Sequence, residues 1–141
     1  MNWITFAILA GTSFGFYNFF VKLASDKLSP TIALMFIAGS SFLIATVSTI
    51  LFKVSGQQLT FSKGAIWFPI FAGVFTGIAE ILYLFMFAKN APLNIGAPLV
   101  IGLTSIIAVL LGLIFLKEPL SAAKIVGICV TIVGLVILAR G

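Results

Sequence analysis

Residues 65–88, AIWFPIFAGVFTGIAEILYLFMFA, indicate the fold class, and Glu80 is the only charged residue among them. An α-helix rises 1.5 Å per residue, so about 20 residues cross the roughly 30 Å of hydrocarbon in a bilayer. A helix also bonds all its backbone polar groups internally, as lipid requires. The stretch is therefore predicted to be a transmembrane helix with one acid inside it.

Two further apolar blocks of similar length precede this one, and two follow it. Short connectors separate them, and two carry helix-starting residues: Ser29 before Pro30, and Pro119 followed by Ser121. We predict an all-α membrane protein with five transmembrane helices in a single domain, residues 1–141. The predicted helices are 3–24, 31–52, 65–88, 94–116 and 122–139.

Composition supports the same class of protein. Apolar residues make up 62% of the chain and charged residues 8%, which is more apolar surface than a soluble core of this size can bury. The net charge is +5, but the eight cations are scattered singly, so we expect no nucleic-acid partner. With no histidine and one cysteine, Cys129, we expect no metal, no cofactor and no internal disulfide. Cys129 itself is interpreted as apolar filler.

The charges between the helices are evenly distributed. Five helices place the two termini on opposite sides of the membrane, and orientation normally follows the Lys/Arg bias of short loops. Here the bias is absent. Either something else sets the orientation, such as the free amino terminus or a fusion partner, or the chain inserts both ways and pairs as an antiparallel homodimer. One side would hold Lys53, Lys63, Lys117 and Lys124, and the other Lys22, Lys27, Lys89 and Arg140.

Two stretches carry a resemblance to a known family. Residues 15–22, GFYNFFVK, end the first helix, and residues 108–121, AVLLGLIFLKEPLS, join the fourth to the fifth. With Gly127 and Gly134 in the last helix, the chain resembles the EamA-type repeat of the drug/metabolite transporter (DMT) superfamily over essentially its whole length. One departure is that the family often has a proline near the position of Ser105, whereas this chain has Pro98.

The resemblance implies half of a larger transporter. Typical members carry two five-helix repeats in inverted topology, ten helices in all. Duplicating an odd number of helices inverts the second copy, which builds a binding site near the bilayer midplane. A lone repeat can reach that arrangement by pairing with an oppositely oriented twin, so we expect an antiparallel homodimer. We expect a multi-pass protein of a bacterial or archaeal cytoplasmic (inner) membrane.

Glu80 is the main candidate for chemistry. Placing an ionised carboxylate near the bilayer centre costs about 2.5 to 3.5 kcal/mol on insertion scales. One interpretation is structural: a protonated Glu80 hydrogen-bonds a neighbour such as Tyr83 or Asn18 and holds helices together. The other is functional, with Glu80 binding protons or a substrate cation.

Helical spacing supplies the remaining candidate site residues. Steps of three and four residues place Thr76 and Tyr83 on the same face of the third helix as Glu80. Asn18 is the polar residue of the first helix best placed to face a cavity, and Tyr17 is a candidate for an aromatic wall. Asn94 is either a polar contact of the fourth helix or only its cap. In the last helix, three small residues predict a packing or dimer seam: Gly127, Thr131 and Gly134.

These residues favour transport over other functions. We predict a secondary active transporter of small organic metabolites or cations, working by alternating access and coupled to protons through Glu80, with membrane lipid around it. The alternative is a non-transporting helical subunit, or half of a hetero-dimeric transporter, in which Glu80 is structural. An enzyme is not expected, because the chain has three acids, no histidine and no nucleophile beside a base.

Overall fold

The computed structural model describes residues 2–119 and 121–140. Within these ranges the chain is helical, and each α-helix begins and ends within two residues of its predicted bounds. Leu120 of the predicted family stretch and both ends of the predicted domain, Met1 and Gly141, lie outside the described residues. The helices are α1 (Trp3–Ser25), α2 (Pro30–Val54), α3 (Trp67–Ala88), α4 (Leu93–Phe115) and α5 (Ala122–Arg140), with a 3-10 turn at Lys63–Ala65.

Four of these helices, α1 to α4, are long and apolar enough to cross a membrane. The apolar part of α5, Ala122–Leu138, is shorter and rises only about 25 Å. The prediction of five helices is therefore confirmed, and the prediction that all five span the membrane is supported by length and composition for four.

The helix starts follow the sequence signals. Ser29 precedes α2 in extended conformation and Pro30 is its first residue, although the Ser29 side chain makes no capping hydrogen bond. Proline fits there because the first backbone N–H groups of a helix have no partner within the helix. Before α5, the Ser121 hydroxyl accepts a hydrogen bond from the backbone N–H of Lys124 at 3.3 Å.

The chain forms two compact units, Met1–Asn90 and Ala91–Gly141. In the first unit, α3 packs against both α1 and α2. Its core lies where α1 and α3 end and α2 begins. We call this the packed end and define it by Val21, Ala33, Leu84 and Phe87, which are 0–2% exposed.

The opposite end of the first unit is open. Among the described residues of this unit, no atom lies within 4 Å of the point that a side-chain Cβ would occupy at four glycines: Gly11 and Gly15 of α1, and Gly73 and Gly77 of α3. We call these four glycines the open end. Because Gly77 lies about one turn before Glu80, the acid sits where the open end meets the packed end.

The second unit is a pair of helices, α4 and α5. Pro98 lies inside α4 without ending it, although proline has no N–H for the carbonyl four residues earlier. Gly102 is the close contact of this unit, because a Cβ there would collide with the methyl carbons of Leu135. The side chain of Leu135 thus occupies the space that Gly102 leaves.

Candidate functional site

The site is built on Glu80, in the second half of α3. The carboxylate is partly buried and accepts a hydrogen bond from the Tyr17 hydroxyl of α1. Hydrocarbon offers no partner for a carboxylate, so the tyrosine from the neighbouring helix provides one. The Tyr17 ring meets the ring of Phe14 edge-on, with centroids 6.2 Å apart.

A second polar pair links the same two helices. The Tyr83 hydroxyl donates to Oδ1 of Asn18 at 2.9 Å, and Tyr83 is 9% exposed. Its ring packs against Phe87 with centroids 4.8 Å apart. This pair is therefore fixed on one side by the packed end.

The two pairs differ from the predicted partners of Glu80. The structural interpretation expected Tyr83 or Asn18 beside the acid, whereas these two bond each other and Tyr17 bonds Glu80. Partner positions increase together along α1 and α3, so the two helices run in the same direction. In that register Tyr17 meets Glu80, and Asn18 meets the residue one turn farther on.

Beyond the second pair lies a charged group. Lys22 Nζ is 2.8 Å from Asp26 Oδ1 and 5.8 Å from the centroid of the Phe87 ring. This is the only ion pair among residues 2–119 and 121–140. The ammonium group nearest in sequence to the site is therefore paired with Asp26. Within the described ranges, no ion pair neutralises the charge of an ionised Glu80.

Two further predicted site residues, Thr76 and Asn94, take part in neither hydrogen-bonded pair. Thr76 is exposed, and its hydroxyl donates to the carbonyl of Ala72 in its own helix at 2.8 Å. Asn94 is exposed, lies in the second unit and is the second residue of α4. It is therefore inside the first turn and not the capping residue, which is Pro92.

The predicted seam on α5 is an open surface. The Thr131 hydroxyl donates to the carbonyl of Gly127 at 2.9 Å. In the part of the chain that the structure describes, no atom lies within 4 Å of a Cβ position at Gly127 or Gly134. The glycine that does make a close contact, Gly102, was not predicted. Cys129 is exposed on the same helix.

Metal binding has no visible basis in the described part of the chain. No group of three or more Cys, Asp or Glu side chains lies close enough together there to hold a metal ion. The chemistry available at Glu80 is that of one carboxylate, two tyrosine hydroxyls and one amide.

Comparison with known proteins identifies a family. The family model described as the EamA-like transporter family matches residues 1–140. No curated protein and no solved structure matches the chain. The family match spans both compact units and all five helices.

Proposed function

Because the chain belongs to the EamA-like transporter family, we propose that it is a secondary active transporter of small organic cations or metabolites. It is an integral multi-pass membrane protein. In this proposal it works by alternating access, and Glu80 binds either the substrate or a proton. The observation that carries the proposal is a lone carboxylate inside an apolar helix, which accepts a hydrogen bond from a hydroxyl of α1.

The charge of the site favours a cation as substrate. Glu80 forms no ion pair within the described ranges, since Lys22 is paired with Asp26. Tyr17 bonds the acid, and Tyr83 lies about one turn farther along α3. A carboxylate beside aromatic faces is the combination that attracts an organic cation. Exchange of that cation for a proton on the same carboxylate would couple transport to a pH gradient.

An antiparallel homodimer is the proposed working form. The Lys and Arg residues divide four against four between the two sides of the membrane in a five-span topology, so the chain has no preferred orientation by charge. The seam on α5 supports the pairing, because Gly127 and Gly134 leave space that nothing in the described chain occupies and small residues allow close helix approach.

The decisive experiment is proton-driven uptake into liposomes. We expect an imposed pH gradient to drive uptake of tetraphenylphosphonium or another small organic cation by wild-type protein. Glu80→Gln should lower coupled uptake about tenfold or more, because a charge-assisted contact is worth roughly 1.5 to 3 kcal/mol. The matched control is Glu118→Gln, which changes an exposed acid in the α4–α5 connector and should leave uptake unchanged.

Coupled uptake by Glu80→Gln at the wild-type level would contradict the role given to this residue. A reporter on the carboxyl terminus tests the dimer separately. Signals from both sides of the membrane support two orientations, and a signal from one side alone contradicts the antiparallel homodimer.

A second candidate function has a specific observation in its favour. The bonds Tyr17–Glu80 and Tyr83–Asn18 tie α1 to α3, as expected if Glu80 only holds a non-transporting subunit together. In that case Glu80→Gln would reduce stability, and wild-type protein alone would transport nothing. Adding a second, different subunit would then be needed to restore uptake.

A further inference from the structure

We propose that the Tyr17 hydroxyl is a displaceable ligand of Glu80, which occupies the carboxylate in the empty site and gives way when a proton or an organic cation binds. The inference rests on the proposed function in taking Glu80 as the binding carboxyl. It adds a residue that competes with the substrate from inside the protein. Affinity would then depend on Tyr17 as well as on Glu80.

The position of the Tyr17–Glu80 pair supports exchange. Both residues are only partly buried, and Gly77, about one turn from Glu80 toward the open end, has free space beside it among the described residues. A ligand arriving from the open end therefore reaches this pair before the pair of Tyr83 and Asn18. The Tyr17–Glu80 pair therefore lies where the open end meets the packed end.

The packing around Tyr17 also permits movement. Its aromatic contact is Phe14 of the same helix, and Phe14 is 60% exposed. Turning the Tyr17 ring away from Glu80 therefore breaks no aromatic pair with another helix among the described residues. Tyr83 is the opposite case, because its ring is buried against Phe87 at the packed end.

The exchange replaces the hydrogen bond between the Tyr17 hydroxyl and the Glu80 carboxylate. An ionised carboxylate accepts the Tyr17 O–H in the empty site. A cation replaces that hydrogen bond by a charge contact, and a proton weakens it by converting the charged acceptor into a neutral carboxyl group with its own O–H donor. In both cases the hydroxyl keeps its hydrogen and turns to another acceptor or to water.

The first test uses no substrate. Dicyclohexylcarbodiimide reacts with carboxyl groups within membranes, and mass spectrometry locates the labelled acid. In Tyr17→Phe, we expect labelling of Glu80 to be about fivefold faster than in wild type, the factor that corresponds to one hydrogen bond. Thr12→Val is the matched control, because it removes an α1 hydroxyl that bonds only its own helix, and its labelling rate should equal that of wild type. Equal or slower labelling in Tyr17→Phe would overturn the proposal.

The second test measures the response of the wild-type chain, and a variant serves only to assign its signals. The sequence has two tyrosines, and 13C at their Cζ atoms gives two NMR signals that Tyr83→Phe assigns. Acidification or saturating tetraphenylphosphonium should shift the Tyr17 signal and leave the Tyr83 signal in place. A Tyr17 signal that responds to neither overturns the proposal.

The two tests are separable from the proposed function. A wild-type protein that transports no cation in liposomes would refute transport by this chain alone. The acid-induced shift and the labelling rates would still decide whether Tyr17 is a displaceable ligand of Glu80.

Discussion

The packed end and the open end of the first unit are built from the same two helices, yet their side chains differ in size. At the packed end, Leu84 and Phe87 fill the space between helices completely. At the open end, Gly73 and Gly77 leave it empty. Along one half of its length α3 is thus a packing helix and along the other it borders open space, with Glu80 at the boundary.

The largest expected effect comes from emptying the packed end. Phe87 is fully buried, so Phe87→Ala should lower the free energy of unfolding by about 3 kcal/mol. The measurement is unfolding in detergent micelles followed by circular dichroism. Phe75→Ala is the control, because Phe75 lies on the same helix and is 70% exposed. Equal losses in both variants would mean that the two ends are not packed differently.

Filling each end gives the next contrast. Ala33 is 2% exposed, so Ala33→Leu should cost about 1 to 3 kcal/mol through overpacking. Gly73→Leu adds a larger volume than Ala33→Leu, but adds it to open space, and should leave the stability of the single chain nearly unchanged. Uptake assays extend the contrast to function. A loss of transport in Gly73→Leu with unchanged stability is expected if the open end is the route to Glu80.

Removing one hydrogen bond at the boundary should have a smaller effect. Tyr83→Phe leaves Oδ1 of Asn18 without its donor, which should cost about 1 kcal/mol. A double-mutant cycle with Asn18→Leu isolates the pair, since the second change should cost little once the first is made. Additive losses in the cycle would show that the hydrogen bond contributes nothing to stability.

The smallest expected effect is at the charged edge of the packed end. Lys22 and Asp26 form a pair in which the Asp26 side chain is 47% exposed, so Lys22→Met should cost about 0.3 to 0.5 kcal/mol. The cost should shrink further as salt is raised, because salt screens exposed charges. Stability that is lower by several times this amount at every salt concentration would point to the contact with Phe87 instead.

The helices could be predicted from sequence because length and hydropathy alone determine them. Their bounds lie within two residues of expectation, and Glu80 falls on α3 as predicted. The weaker point is α5, whose apolar part is the shortest of the five. Hydropathy predicts a transmembrane helix there, but its apolar length is close to the shortest that spans a bilayer.

The partner of Glu80 could not be predicted in the same way. Tyr17 and Asn18 are adjacent in sequence and lie about 100° apart on a helix, so either can face α3. The choice depends on the register between α1 and α3, which no local pattern encodes. The same holds for Gly102, since glycine spacing does not tell which glycine a neighbouring leucine will cover.

Because Leu135 covers Gly102, replacing glycines by alanine can test which glycines have a neighbour packed against them. Gly102→Ala must push the Leu135 side chain aside within the second unit, so any loss of stability that it causes in a single chain should be relieved by Leu135→Ala. Gly127 and Gly134 have nothing to displace among the described residues of one chain. Selection against alanine at those two positions in living cells would therefore register a neighbour from outside the chain, and would map the seam without purifying the protein.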